Sequence, residues 1–414
     1  MEYDQYKRKT CRYCDEPLGE PFLELGVQPL ANNLPRREDA AKPEFHCPLA
    51  VVKCRKCHLV QLTHSVPAHL MFDDYLYVSS TTQTFRTHFA EYAKDVRGRL
   101  SQKQTPLAVD IGSNDGLLVS CYDKAGMRGI GVEPAKNLAA EANRQGVTTL
   151  NRYFGAEAVK EILAQYGKAD AVSANNVFAH IDDIQGVCRN VRDLLAEDGF
   201  LVIEFAYLAT MIEKMFFDMV YHEHVCYIGV TALDFFFTKF GMEIFDITEV
   251  DTHGGSLRVF IQKIGGGRER KPVVARFLND EREKGMLGDK VYADFAARVL
   301  GFKTKLNGMV AAIKKEGKSI SGYGAPAKAT TIINFCELTP AQIDYIVDDN
   351  PLKQGRLVPG RKIPIVPSAH LAAHPTAYVI IFAWNFSKEI LTKIGFLREK
   401  NVRFIVPLPE PATV

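Results

Sequence analysis

Four consecutive side chains able to handle protons, Tyr221-His222-Glu223-His224, stand inside FFDMVYHEHVCYIG, and no other stretch of the chain sets two imidazoles around a carboxyl group. Two chemistries fit them. On an extended segment His222 and His224 share a face and could ligate a metal. Alternatively one imidazole, with an unperturbed pKa of about 6.5, is the general base at a bound substrate. The spacing is not H-E-x-x-H and no third ligand is evident, which counts against the metal. His180, in ANNVFAHIDD, lies just past a strand pattern, where a histidine satisfied by backbone is as good a reading as a catalytic one. Tyr75 and Tyr77 precede a helical pattern (Phe85, Phe89, Tyr92) in a loop, where site residues concentrate.

The other chemistry-bearing residues are cysteines. Cys11-x-x-Cys14 and Cys54-x-x-Cys57 are two knuckles, and together they supply the four thiolates that tetrahedral zinc prefers. Four thiolates leave no open coordination position, so the expected Zn²⁺ is structural. AVVKCRKCHLVQL reads as a β-hairpin carrying the second knuckle, with His46, Cys47 and His58 as spare donors and Cys47 able to replace a ligand. Nine cysteines is an odd number, and four of them fall as two close pairs rather than as a dispersed secretory framework, which in a reducing compartment points to metal rather than disulfides.

These residues need a scaffold, and 414 residues predict two or three cores. Three domains are expected: a zinc-binding domain over 1–70, an α/β domain over 71–268, and a helical link with a second α/β domain over 269–414. Between 105 and 265 strand patterns (PLAVDIGS, RGIGVEP, ADAVSANN, FLVIEFA) alternate with helical ones, which predicts a parallel sheet covered on both faces. MEIFDITEVD and SLRVFIQKI, joined by THGG, form an antiparallel hairpin closing that sheet. The combination resembles the S-adenosylmethionine methyltransferases. The segment LATMIEKMFFDM reads as a helix leading to the histidine cluster.

The motifs agree with such a cofactor. Asp110, Gly112, Asn114, Asp115 and Gly116 form the loop DIGSNDG after the first strand, where open α/β sheets bind ligands. Glu133 ends the next strand, placed to take both hydroxyls of a ribose, and Asn175 ends a third. Asp115 puts negative charge where a phosphate-binding loop wants none, so a cationic sulfonium fits better than a dinucleotide. In the last domain Gly322-Tyr323-Gly324-Ala325-Pro326-Ala327 is a relaxed dinucleotide fingerprint opening a helix. Lys328 follows it, and Asp348 stands about twenty residues on, the usual offset in such folds. Tyr323, Lys328 and Asp348 are the candidate nucleotide-binding residues. Net charge of +2 with scattered basic residues predicts no nucleic-acid partner. No apolar run approaches a membrane span and the start is polar, so a cytoplasmic protein is expected.

With zinc knuckles, DIGSNDG, ANNVFAHI, YHEHVCY, HGGSLR, GAPAK and VDDNPLKQGRLVPG in one chain, the sequence resembles the sugar C-methyltransferases that act on nucleotide-linked 4-keto-6-deoxyhexoses, over nearly its whole length. The resemblance implies that His224 is the base, that Tyr221, Glu223 and His180 surround it, that Tyr75 adds an aromatic, and that the last domain helps hold the nucleotide. It further implies methylation at C3: His224 removes the C3 proton, His180 donates to the C4 oxygen, and the partner is a dTDP- or GDP-linked sugar. From the residues alone an O- or N-methyltransferase is the second reading, and a non-enzymatic zinc-ribbon adaptor the third.

Overall fold

The computed structural model describes residues 3–73, 83–100 and 102–414, and of His253 the backbone only. Along the chain the strands are β1 (Leu23–Pro29), β2 (His46–Lys53), β3 (Val60–Leu62), β4 (Leu107–Ile111), β5 (Arg128–Val132), β6 (Thr149–Leu150), β7 (Ala169–Asn175), β8 (Leu195–Ala206), β9 (Cys226–Tyr227), β10 (Met242–Val250), β11 (Ser256–Lys263), β12 (Ile320–Tyr323), β13 (Ile346–Val347), β14 (Ile365–Val366), β15 (Tyr378–Ile381), β16 (Arg403–Val406) and β17 (Ala412–Thr413). They form three sheets.

The first sheet has the order β1-β2-β3-β9 and is antiparallel throughout. Cys54 and Cys57 sit in the turn of the β2–β3 hairpin, as the sequence predicts. Its fourth strand comes from far along the chain: β9 follows the histidine cluster directly and pairs Gln61 with Cys226 and Val60 with Tyr227.

The central sheet runs β10-β11-β8-β7-β4-β5-β6. The five strands from β8 to β6 are parallel, and β11 is antiparallel to both β8 and β10, so the expected hairpin closes the sheet. All five residues of β4 are buried, which is why its sequence is a near-continuous apolar run. The covering helix Ile184–Leu194 buries Ile184, Val187, Cys188, Val191 and Leu194, spaced by three and four, and Asp183 caps it by accepting from the Gly186 N–H at 3.0 Å. LATMIEKMFFDM is not one helix. The helix stops at Glu213, Met215 takes a positive φ of 62°, and a 3-10 turn follows over Phe217–Met219. Phe216, Phe217 and Met219 are buried, so this apolar run reflects burial rather than helical periodicity. The short β6 and the helix Ala156–Tyr166 carried no expectation from the sequence.

The third sheet runs β14-β13-β12-β15-β16-β17, parallel except for β17. Helices Pro272–Glu283 and Lys290–Lys315 lead into it, the second burying Phe295, Val299 and Leu306. Buried Glu281 accepts from the Tyr207 hydroxyl at 3.0 Å and the Thr231 N–H at 2.8 Å, placing a carboxylate at the N-terminus of helix Val230–Lys239. Among the described residues no helix is long and apolar enough to cross a membrane.

Candidate active site and zinc centre

The four knuckle thiols converge. The sulfurs of Cys11, Cys14, Cys54 and Cys57 all lie within 4.8 Å of one another, with Cys11–Cys57 and Cys14–Cys54 at 3.5 Å. A tetrahedron with Zn–S bonds of about 2.3 Å has edges of about 3.8 Å, so the set fits Zn²⁺. The Gln61 amide donates to Cys11 Sγ at 3.1 Å and orients it. Cys47 is not a substitute ligand: it is buried beside Leu30 and Val66, outside the cluster.

Tyr221-His222-Glu223-His224 is a tight turn, closed by the His224 N–H on the Tyr221 carbonyl at 2.9 Å, and not the extended segment that a two-histidine metal site assumes. The turn separates the two histidines. His222 is 2% exposed and donates from Nε2 to the Cys47 carbonyl at 3.1 Å; burial pushes its pKa down to about 4 against that hydrogen bond, so it is neutral. His224 faces a large cavity instead, with Nδ1 2.7 Å from the Met219 carbonyl and Nε2 2.8 Å from the Tyr221 hydroxyl. A carbonyl only accepts, so Nδ1 carries the proton and Nε2 of the neutral ring holds the lone pair. The Tyr221 ring lies 4.0 Å from the His224 ring and the His180 ring 4.8 Å on, His180 ending a 3-10 turn just past β7. Glu223 is 3% exposed, behind the cavity wall, and accepts from the Asn32 amide at 2.7 Å. Tyr75 and Tyr77 lie outside the described residues.

The same cavity, about 1960 Å³, reaches the carboxyl edge of the central sheet. That exceeds the roughly 300–1,000 Å³ of a single small-molecule site, so two ligands fit side by side. Gly112, Asn114, Glu133 and Asn175 line it. Gly112 has φ +66°, and a Cβ there would lie 2.6 Å from Val177, so only glycine keeps this approach open. Burial raises the Glu133 pKa, opposed by the N–H groups of Ala135 and Asn114, each at 2.8 Å, which fix its carboxylate and leave lone pairs for paired hydroxyls. This donor set fits the ribose of S-adenosylmethionine. Asp110, Asp115 and Gly116 are not on the cavity wall. Asp110 lies under the loop, its pKa pushed up to about 7 by burial although Ser173 donates to it at 2.6 Å; Gly116 opens helix Leu117–Lys124; Asp115 is buried near them.

Tyr323, Lys328 and Asp348 line the far end. Asp348 accepts from the Ala325 N–H at 2.7 Å and the Asn350 N–H at 2.8 Å, so it braces the glycine-rich loop. Tyr323 donates to Asp349 at 2.8 Å. Lys328 is 9% exposed, its Nζ has no hydrogen-bond partner among the described residues, and it stands 4.8 Å from the Trp384 ring. Burial lowers its pKa and the Asp218 carboxylate partly restores it. Three contributors carried no sequence signal of their own. Asn32 sits in an irregular loop, His88 occupies an ordinary polar position on helix Gln83–Arg99, and Asp218 lies in an apolar run. Trp384, the one tryptophan, carried a signal that could have been used.

Family models match three successive parts of the chain: a zinc binding domain over residues 11–72, a methyltransferase domain over 85–247, and a C-methyltransferase C-terminal domain over 251–409. The C-methyltransferase NovU of Streptomyces niveus is 35% identical over 404 residues, 98% of this chain and 96% of NovU. Among solved structures, magnesium protoporphyrin IX methyltransferase of Synechocystis PCC 6803 with bound S-adenosylmethionine is 16% identical, with TM-score 0.32 over 44% of this chain and 81% of its own. A protein of Pyrococcus horikoshii OT3 is 12% identical, with TM-score 0.36 over 47% and 98%.

Proposed function

The chain belongs to the family of S-adenosylmethionine-dependent C-methyltransferases that includes NovU, and from this we propose that it methylates C3 of a nucleotide-linked 4-keto-6-deoxy sugar through a base-generated enolate. A carbon beside a ketone becomes nucleophilic only on losing a proton, so the reaction needs a base at that carbon and donors at the oxygen where charge develops. The observation that carries the reading is the fixed tautomer of His224, whose Nε2 accepts from the Tyr221 hydroxyl at the cavity wall, with the His180 ring beside it. Once the Tyr221 hydroxyl turns off Nε2, His224 takes the C3 proton there; the C–H pair becomes the C3–C4 double bond, the carbonyl π pair moves to the C4 oxygen, and His180 donates a hydrogen bond to it. Tyr221 orients the base, and Glu223, held by Asn32, fixes the turn.

S-adenosylmethionine, when bound, supplies a methyl group made electrophilic by its cationic sulfur. Glu133 would take its ribose, and Gly112, Asn114 and Asn175, which line the same cavity, would help hold it. The unit from 269 to 414 is read as the nucleotide-sugar domain, following a zinc domain over 1–70 and a cofactor domain over 71–268. Tyr323 and Lys328, whose Nζ has no hydrogen-bond partner among the described residues, suit a diphosphate. The Zn²⁺ is structural.

The test is solvent deuterium wash-in at C3, over a panel of dTDP- and GDP-linked 4-keto-6-deoxy sugars. His224→Asn is expected to slow exchange by about 10²–10⁴. Exchange at the wild-type rate in that variant removes His224 as the base, and methylation of oxygen or nitrogen without any exchange of a carbon-bound proton removes the C-methylation chemistry.

A further inference from the structure

Arg12 lies inside the first knuckle, between Cys11 and Cys14, with its side chain fully buried. Every arm of its guanidinium is engaged. Nη1 donates to Gln61 Oε1 at 3.1 Å and to the Leu62 carbonyl at 2.8 Å, Nη2 to Ser65 Oγ at 2.7 Å, and Nε to Asp182 Oδ1 at 2.9 Å. Gln61 is the residue whose amide orients Cys11. Asp182 comes from the cofactor unit, two residues beyond His180, and also accepts from Ser65 at 2.6 Å and Arg8 at 3.0 Å. Gln185, a turn further on, donates to the Arg12 carbonyl at 3.1 Å.

The metal-binding unit therefore reaches the His180 loop at Asp182, through the buried Arg12 with Ser65 and Arg8 beside it. It also reaches His224, because β3, which carries Gln61, pairs with β9 immediately after the histidine turn, and the Leu62 N–H donates to the Val225 carbonyl at 3.0 Å. We infer that Arg12 and Asp182 are positioning residues, which hold His180 in register with His224 from the zinc knuckle rather than from the cofactor sheet. A fork-shaped guanidinium suits this role, since its planar donors fix direction as well as distance. The inference rests on the proposed roles of His180 and His224.

The experiment uses the full-length, zinc-loaded protein with ¹³C-labelled histidine, the Cε1–H resonances of His180 and His224 being assigned with His180→Gln and His224→Asn. Asp182→Ala is expected to shift the His180 resonance and to slow C3 exchange at least tenfold. S-adenosylmethionine affinity by calorimetry is expected to stay within twofold and zinc at one per chain. An unmoved His180 resonance with exchange within twofold of wild type overturns the inference. So does a loss of cofactor affinity or zinc that matches the loss of exchange, since that marks a general structural role. If Asp182→Ala does not fold, Asp182→Asn, isosteric on a side chain 46% exposed, is read by the same criteria. Should the wild type exchange no sugar proton, the proposed function fails, and the His180 resonance still decides the coupling.

Discussion

Replacing Arg258 by methionine should expose a buried electrostatic commitment of the central sheet. Glu204, at the end of β8, is 1% exposed and accepts from His88 Nε2 at 2.7 Å, Arg258 Nε at 3.1 Å, Arg258 Nη2 at 3.0 Å and Thr252 Oγ1 at 3.2 Å. Arg258 also lies over the Tyr92 ring at 4.0 Å, so a methionine keeps the packing and removes the charge. What is left is a buried carboxylate with its fork partner gone, and breaking such a pair from one side costs about 3–5 kcal/mol. An exposed pair gives the contrast: Lys290 and Asp294 are 84% and 59% exposed, and their loss should cost less than about 0.5 kcal/mol. Burial alone would raise the Glu204 pKa, but His88 and Arg258 more than reverse it and hold it below the usual carboxylate range. Its contribution is therefore full above an unfolded-state value of about 4.3 and is lost as pH falls through the lower folded value. Without Arg258 the folded pKa rises, so the penalty should be full at pH 7 and shrink toward pH 4 as Glu204 takes a proton. Urea unfolding followed by circular dichroism at both pH values measures it. A penalty under about 1 kcal/mol, or one independent of pH, refutes the reasoning.

Three further outcomes are expected. His222 has a folded pKa near 4 against 6.5 unfolded, so the unfolded chain binds a proton that the fold does not; this group should cost about 3 kcal/mol of stability between pH 6.5 and 4, and His222→Asn should flatten that limb of a thermal-unfolding pH series. Gly112→Ala combines a positive φ with a 2.6 Å approach to Val177, and calorimetry should find S-adenosylmethionine binding at least tenfold weaker. Lys328→Met removes a buried amine whose Nζ has no hydrogen-bond partner among the described residues, so stability should not fall while the KM for the sugar nucleotide rises at least tenfold; a kcat loss at constant KM would contradict a binding role.

What was legible in the sequence was local. The knuckle spacing names a four-thiolate site because two C-x-x-C turns each present a pair of sulfurs. DIGSNDG marks the cofactor edge because Gly112 needs a backbone that side chains rarely adopt. The alternation of apolar strands and amphipathic helices carries the sheet, while the proposed roles of His180 and His224 rest on resemblance. The rest depends on contacts across the chain. Nothing local in CYI announces that β9 leaves the central unit to pair with β3, 165 residues earlier by Gln61–Cys226. Read as an extended segment, Tyr221–His224 would put His222 and His224 on one face, and only the fold shows that His222 turns into the Cys47 carbonyl. Asn32 and His88 are polar residues of common types, and their partners Glu223 and Glu204 lie 191 and 116 residues away.

These long-range contacts have one physical logic. A two-residue strand such as β9 cannot set its own register, since one slipped residue would reverse every side chain. The histidine turn is instead fixed from outside, by Asn32 on Glu223, by the Cys47 carbonyl on His222, and by β3, whose neighbour Cys11 belongs to the metal set. Thr331 adds a hydrogen bond to the Val220 carbonyl from the third unit at 3.1 Å. A base positioned to within a fraction of an ångström needs supports that do not move when its reaction partners come and go. A four-thiolate zinc site has no open coordination position to exchange ligand, so the knuckle that Gln61 joins to β3 is suited to be such a support for the proposed base.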